Sequence, residues 1–361
     1  MSRRAALILA GGKGRRFQNK GEKWEDKALA NLNGRPLLVQ ALENVQIIVD
    51  EVALCVSDKK RGKKYSKILE PVAEKPLKVI VDEKTEISGP TVAIMSGLKK
   101  VNADYCLTLP CDMPFLQPKV ADYLFSQAEC HEIVTPMWPN GRIETLLNVL
   151  DRQKGLEITE TLCDLRRPRS DDIQRGTGKI LLASTVAEIK TLDPELRSFI
   201  NINSKEDLRH PRTRSLQGPV KENLSLNFEP ASTSRLVSLR EATEAFRGNI
   251  NSLAAKAFGE CARYFEESGS RFWTAVSWEN QGEAFLALSK QQRTADAVGK
   301  LDSEAKEAFV RAANYYRLEA EMHLENCCTL LAERAFSDKA WCESWAMGKH
   351  SHVHRYPSKV D

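Results

Sequence analysis

What the chain lacks narrows its class first. Its 361 residues contain no apolar run close to the ~18 that a bilayer crossing needs. The first apolar segment, in MSRRAALILAGG, is cut short by glycines and reads as a strand rather than a signal peptide. Nine cysteines, an odd number with no CxxC pair, exclude a disulfide or zinc framework and point to a reducing, cytoplasmic setting. Cys55, Cys106, Cys327 and Cys328 lie in apolar or helical stretches and read as small core residues. Excess charge of one sign is also missing: a net charge of +4 is too weak to argue a polyanion partner. The one dense basic run, DKKRGKKYSK (58–67), has Tyr65 as its sole aromatic, so stacking partners for nucleic acid are absent and the run reads as a solvated face. GTGK (176–179) lacks the spacing of a P-loop, and HSHVH (350–354) lies in a polar tail.

What is present is a globular composition, 42% apolar and 28% charged, in a chain long enough for two domains. Residues 1–208 alternate short β-rich runs with helical stretches, which predicts an α/β fold: a mainly parallel sheet with helices on both faces. The predicted strands are 5–10, 52–56, 78–82, 104–110, 131–136 and 186–192; the predicted helices are 36–44, 91–100, 118–127 and 204–209. Residues 209–240 read as a linker. From 241 to 348 there is no proline and little strand signal, so an all-α domain is expected, with a polar tail over 349–361. Within it Ala254, Ala257, Phe258, Ala262, Tyr264, Ala284 and Phe285 recur at an offset of 51 as Ala305, Ala308, Phe309, Ala313, Tyr315, Ala335 and Phe336. Two related helical hairpins follow, resembling tetratricopeptide-type arrays and open to a protein partner.

The stretch LILAGGKGRRF ends a strand in Gly11, Gly12 and Gly14, beside Lys13, Arg15 and Arg16. It fits neither the P-loop nor the dinucleotide fingerprint. Glycines at a strand end can turn backbone amides toward one point, and the cations supply charge there, so the loop by itself reads either as a phosphate cradle or as a glycine-rich hairpin turn with a solvated basic face.

LAGGKGRRF…DKALANLNGRPLL resembles the signature of nucleotidyltransferases of the molybdenum cofactor guanylyltransferase (MobA-like) type. The resemblance covers residues 5 to about 208 and implies a Rossmann-like nucleotidyltransferase sheet. By match, Leu9, Ala10, Gly11, Gly12, Lys13, Gly14, Arg16 and Lys27 hold the nucleoside triphosphate. The interval from Phe17 to Asp26 is longer than the family's, leaving Lys20 and Lys23 as rivals to Lys27 and suggesting a mobile flap over the phosphates. LPCDMPFL (109–116) resembles the family's strand-end motif and assigns Mg²⁺ to Asp112, a cation ordinarily held by one or two carboxylates plus substrate phosphates. VIVDEKTEISGP gives Asp82 the base and Gly89, Pro90 and Thr91 the turn opening the next helix; a carboxylate suits the N1–H and amine of guanine. Ser57 stands where the family often has Asn. FININSKEDL assigns Asn201 and Asn203 to the acceptor or the metal, with Ser204 as a helix cap.

The resemblance implies an enzyme of the nucleotidyltransferase class (EC 2.7.7), with Arg16, Lys27 and Asp112 catalytic: GTP and Mg²⁺ with a phosphorylated acceptor, most simply molybdopterin, and neither nucleic acid nor membrane. Cobinamide phosphate, phospholactate and sugar phosphates are the other acceptors of this sheet. A helical scaffold fused to a degenerate nucleotide domain is the non-enzymatic alternative.

Overall fold

The computed structural model describes residues 2–12, 14–18, 24–213, 216–228 and 231–349. Two compact units interleave along the chain. The first takes residues up to 159, then 168–170 and 180–226; the second takes 160–167, 171–179 and everything from Asn227 onward.

The first unit is built on β1 (Arg4–Leu9), a two-stranded ribbon of β2 (Asn31–Leu32) and β3 (Arg35–Pro36), α1 (Leu37–Gln46), β4 (Glu51–Val56), α2 (Lys59–Leu69), β5 (Leu77–Val81), α3 (Pro90–Leu98), β6 (Tyr105–Pro110), α4 (Pro118–Ala128), β7 (Ile133–Met137) and β8 (Asn148–Asp151). Helix α5 (Arg152–Asp164) runs from the first unit into the second, and α6 (Asp171–Arg175) belongs to the second. The chain then returns through β9 (Lys179–Ser184), α7 (Glu188–Leu192), α8 (Lys205–Arg209) and β10 (Leu224–Asn227). The sheet order is β10-β9-β7-β8-β6-β1-β4-β5. Strand β8 runs antiparallel to β6 and β7, whereas β1 is parallel to both β4 and β6. Alternation splits the strand side chains between two faces. Ile8, Leu54 and Leu109 pack with Leu38 and Leu42 of α1, Tyr65 of α2 and Phe125 of α4. On the other face Leu7 and Cys55 lie against α3 at Gly97. Each large side chain buried this way contributes roughly 1.5–3 kcal/mol, so the two layers account for much of the unit's cohesion.

The mainly parallel sheet with helices on both faces is as expected from the sequence. The strand expected over 186–192 is instead helix α7, and β9 just before it takes the sheet position. Alternation there would bury several side chains, yet Ile189 is the buried one between Val186 and Leu192, which suits a short helix touching the core once. The basic run is also a helix, α2, which buries Gly62, Tyr65 and Leu69 at helical spacing while its lysines face outward. Residues 209–240 hold β10 and the start of the next helix.

Among the described residues the second unit holds 160–167, 171–179 with α6, and five further helices: α9 (Thr233–Arg247), α10 (Asn251–Glu267), α11 (Arg271–Ser289), α12 (Ala295–Glu325) and α13 (Thr329–Ala346). From α9 to α13 each packs on the next. The repeat at offset 51 maps α10–α11 onto α12–α13, and three of its four alanine pairs and its first phenylalanine pair are core positions: Ala254, Phe258, Ala262 and Ala284 match Ala305, Phe309, Ala313 and Ala335, all buried, whereas Ala257 is half-buried. This is a bundle of long hairpins and not a tetratricopeptide array, because α12 alone spans 31 residues, nearly a whole 34-residue repeat of that class. Its interior is charged. Arg175 grips Glu319 with two nitrogens (2.6 and 2.9 Å) and reaches Asp172 and Asp338; Arg167 joins Asp172, Asp338, Glu279 and the Tyr316 hydroxyl. Burial alone would push Arg175 down and Glu319 up, but their mutual attraction wins, holding Arg175 above and Glu319 below their ordinary ranges.

Candidate nucleotide site

The sheet order reverses at β1: the chain steps from β1 to β4 and β5 on one side, then returns to β6 on the other. Ligands of open α/β sheets bind outside the carboxyl ends of strands at such a reversal. Leu9 is paired with Pro110 there, and the Cys111 amide donates to the Leu9 carbonyl at 3.1 Å. The glycine loop leaving β1 and Asp112 leaving β6 are therefore neighbours, although about a hundred residues separate them in sequence.

Lys27, on a short 3₁₀ turn, places Nζ 2.5 Å from Asp112 Oδ2 and 3.2 Å from Asn203 Oδ1. Arg16 Nη2 donates to the same Asn203 oxygen at 3.3 Å. Asn203 is fixed from two directions. The Ile202 amide donates to the Asp112 carbonyl, and Asp207 Oδ2 accepts from the amides of Asn203 and Ser204 while the Ser204 hydroxyl caps α8. The helix cap anticipated at Ser204 is thus also what holds Asn203. Asn201 turns away and donates to the Phe199 carbonyl. Beneath this group Phe17, Ala30, Leu32, Leu37, Ile200 and Ile202 form a small apolar cluster.

The loop extension is anchored at its described ends. Phe17 is buried, Gln18 exchanges two hydrogen bonds with the Glu25 backbone, and Asp26 accepts from Tyr65 and Lys64. Lys13, Lys20 and Lys23, and with them the middle of the expected flap, lie outside the described residues.

At the opposite end, Gly11 lies against Ser57 and Asp82: a Cβ there would stand 3.3 Å from the Ser57 nitrogen and 3.5 Å from Asp82 Oδ2. Ala10 is buried and Gly12 open, while Gly14 takes a left-handed φ of 58° against Lys27. Gly89, φ 152°, caps α3 where Pro90 and Thr91 begin it, and a Cβ on it would meet the Pro168 carbonyl at 2.9 Å. Among the described residues three polar atoms along this rim are buried without a hydrogen-bond partner: Asp82 Oδ1, Thr91 Oγ1 and Asp112 Oδ1. Such atoms are costly unless a ligand satisfies them. Burial pushes the Asp82 carboxyl up to about 6, and pushes the Cys111 thiol up to about 12, which removes it as a nucleophile.

A model of the MobA-like NTP transferase domain matches residues 6–173. A probable molybdenum cofactor guanylyltransferase of Methanosarcina acetivorans is 34% identical over 206 residues, 57% of this chain and 88% of that protein. The chain belongs to the MobA-like NTP transferase family. A second probable molybdenum cofactor guanylyltransferase, from Methanosarcina mazei, is 31% identical over 232 residues, covering 62% of this chain and 94% of its own. Among solved structures, molybdopterin-guanine dinucleotide biosynthesis protein A of Archaeoglobus fulgidus is 23% identical and covers 57% of this chain and 95% of its own, at a TM-score of 0.45. Membership in the MobA-like family brings nucleotide transfer from an NTP as the general activity of the first unit.

For Mg²⁺ the fit rests on Asp112. Among the described residues no group of three His, Cys, Asp or Glu forms a ready metal cage. A single carboxylate with one unpartnered oxygen is nevertheless the protein share that Mg²⁺ commonly takes when phosphates supply the rest. Sequence reasoning missed Arg61, whose Nη1 donates to the carbonyls of Gly11 and Gly12 at 3.0 and 2.9 Å. The signal was available: Gly62, Tyr65 and Leu69 have the spacing of a buried helix stripe, and Asp58 stands as its cap, so the basic run was a helix opening at a strand end.

Proposed function

We propose that the first unit transfers GMP from GTP to a phosphorylated acceptor, molybdopterin, and releases pyrophosphate. The observation that carries this is the set of unpartnered buried oxygens on Asp82, Thr91 and Asp112, lying along the strand ends on either side of the glycine loop. The names of the Methanosarcina relatives support the guanine and molybdenum cofactor parts. Asp82, once ionised, accepts from the N1–H and exocyclic amine of guanine, a donor pair adenine does not offer. The amides of the glycine loop face the triphosphate, and Arg16 and Lys27 counter the charge that grows on it as the acceptor phosphate attacks the α-phosphorus in line. Asp112 is the residue that would hold Mg²⁺, which when bound neutralises phosphate charge. The acceptor phosphate is already an anion, so no general base is needed. The free thiols of all nine cysteines suit a cytoplasmic protein.

The test is pyrophosphate release by the purified protein with each of the four NTPs, Mg²⁺ and candidate acceptors. Release is expected with GTP and molybdopterin, and Asp112→Asn and Lys27→Ala should each lower turnover about a hundredfold. Normal turnover in both variants, or no release with that pair, would overturn the assignment.

A further inference from the structure

Arg61 leaves the first turn of α2, where its own amide donates to Asp58 Oδ1 at 2.8 Å. Its side chain turns from the basic surface toward the glycine loop, and one nitrogen, Nη1, serves two successive carbonyls, Gly11 and Gly12. The Trp24 indole covers the guanidinium, its centroid 5.9 Å from the Arg61 Cζ, although the indole itself is 52% exposed. Arg15 and Gln18 line the same hollow.

None of the described peptide bonds is cis. A trans peptide points its carbonyl and its amide in opposite directions. Pinning the Gly11 carbonyl therefore aims the Gly12 amide at the far side of the chain. Among the described residues no acceptor takes a hydrogen bond from the amides of Gly11, Gly12 or Gly14. Glycine is the residue least able to hold such an arrangement by itself, since it loses the most backbone freedom on ordering. Something outside the loop must set the orientation, and Arg61 makes the two contacts that do so.

We propose that Arg61 is a positioning residue for triphosphate binding: it fixes the glycine-loop carbonyls on one side so that the amides present an ordered anion-binding face on the other, with the Trp24 ring lying over its guanidinium. This rests on the nucleotidyltransferase reading of the site. It assigns a task to the loop extension, which brings Trp24 over Arg61, and it separates Arg61 from the other cations of its run.

The experiment is calorimetric titration of the full chain with GTP and Mg²⁺ without acceptor, joined to hydrogen exchange over residues 7–18 in the absence of nucleotide. Arg61→Ala should weaken GTP binding by about tenfold or more, the scale of two charge-assisted hydrogen bonds, and speed exchange in that segment and not elsewhere. In turnover it should raise KM with little change in kcat, whereas Lys27→Ala lowers kcat. Trp24→Ala, at an exposed position that folding tolerates, should weaken binding several-fold. Lys60→Ala removes the same charge one residue away and should bind like the parent; a loss equal to that of Arg61→Ala would mean general electrostatics and overturn the proposal. If the parent binds GTP and Arg61→Ala binds equally, the proposal falls alone. If the parent binds no triphosphate, the reading of the site falls and takes the proposal with it.

Discussion

Asp82 shows how one side chain links burial to pH. Its carboxyl keeps its proton to about 6 because burial disfavours the charged form. A protonated carboxyl cannot accept from both guanine donors, so GTP affinity should fall as pH drops through about 6 and level off above 7. The triphosphate titrates in the same range, with a last ionisation near ~6; comparison with Asp82→Asn isolates the protein's share, and the variant should bind weakly with a flatter profile. The folding sign is opposite. A group raised from 3.8 to about 6 in the folded chain makes folding less favourable as pH rises through that window, because the unfolded chain gives up its proton first. Asp82→Asn should remove that slope, which urea titrations at pH 4 and pH 7 would measure. At this scale much of the site was legible: Lys27, Asp112 and Asn203 were named from motifs and do meet. What no motif carried was that Lys27 bonds both Asp112 and Asn203 while Asn201 turns back on Phe199, since those contacts depend on where strand ends arrive.

Among the elements, α3 lies tight against the sheet. A Cβ on Gly97 would stand 2.9 Å from Cys55 Sγ and 3.0 Å from a Leu7 methyl carbon, both on strands that flank one another in the sheet centre. Gly97→Ala should therefore cost about 1–3 kcal/mol, as overpacking does, and lower the melting temperature by roughly 2–4 °C per kcal/mol for a unit of this size. An unchanged melting curve would show that α3 can move off the sheet freely. The strands and helices that were readable in advance carry one clear pattern each: a continuous apolar run in β1 and β4, a helical stripe in α4. Those that were not are short or mixed: α7 buries one residue, β10 pairs at the sheet edge, and α2 hides its buried stripe among lysines.

For the whole molecule the interleaving of the two units matters most. Arg167, Asp172 and Arg175 fall between strands of the sheet in sequence yet belong to the second unit, where Glu279, Glu319 and Asp338 are supplied by α11, α12 and α13. Removing one side of a buried ion pair typically costs about 3–5 kcal/mol because the other charge stays unsatisfied. A chain ending at residue 226 keeps the two arginines and loses those three carboxylates. Limited proteolysis should then cut it within residues 160–167 or 171–179, stretches the full chain protects; equal resistance in both would show that these segments are held without the helices.

The local pattern of residues was enough for the fold class, the strand carrying the glycines, the Asp-bearing strand end and the helical character of the C-terminal third, because each is written in periodicity or in a contiguous motif. Tertiary structure alone decided which groups meet: Lys27 on Asp112, Arg61 behind the glycine loop, and residues 160–167 and 171–179 with the later helices. Those contacts join positions from a few dozen to more than a hundred residues apart, and their geometry follows from the order and direction of strands and from the packing of helices, quantities no short stretch of sequence contains.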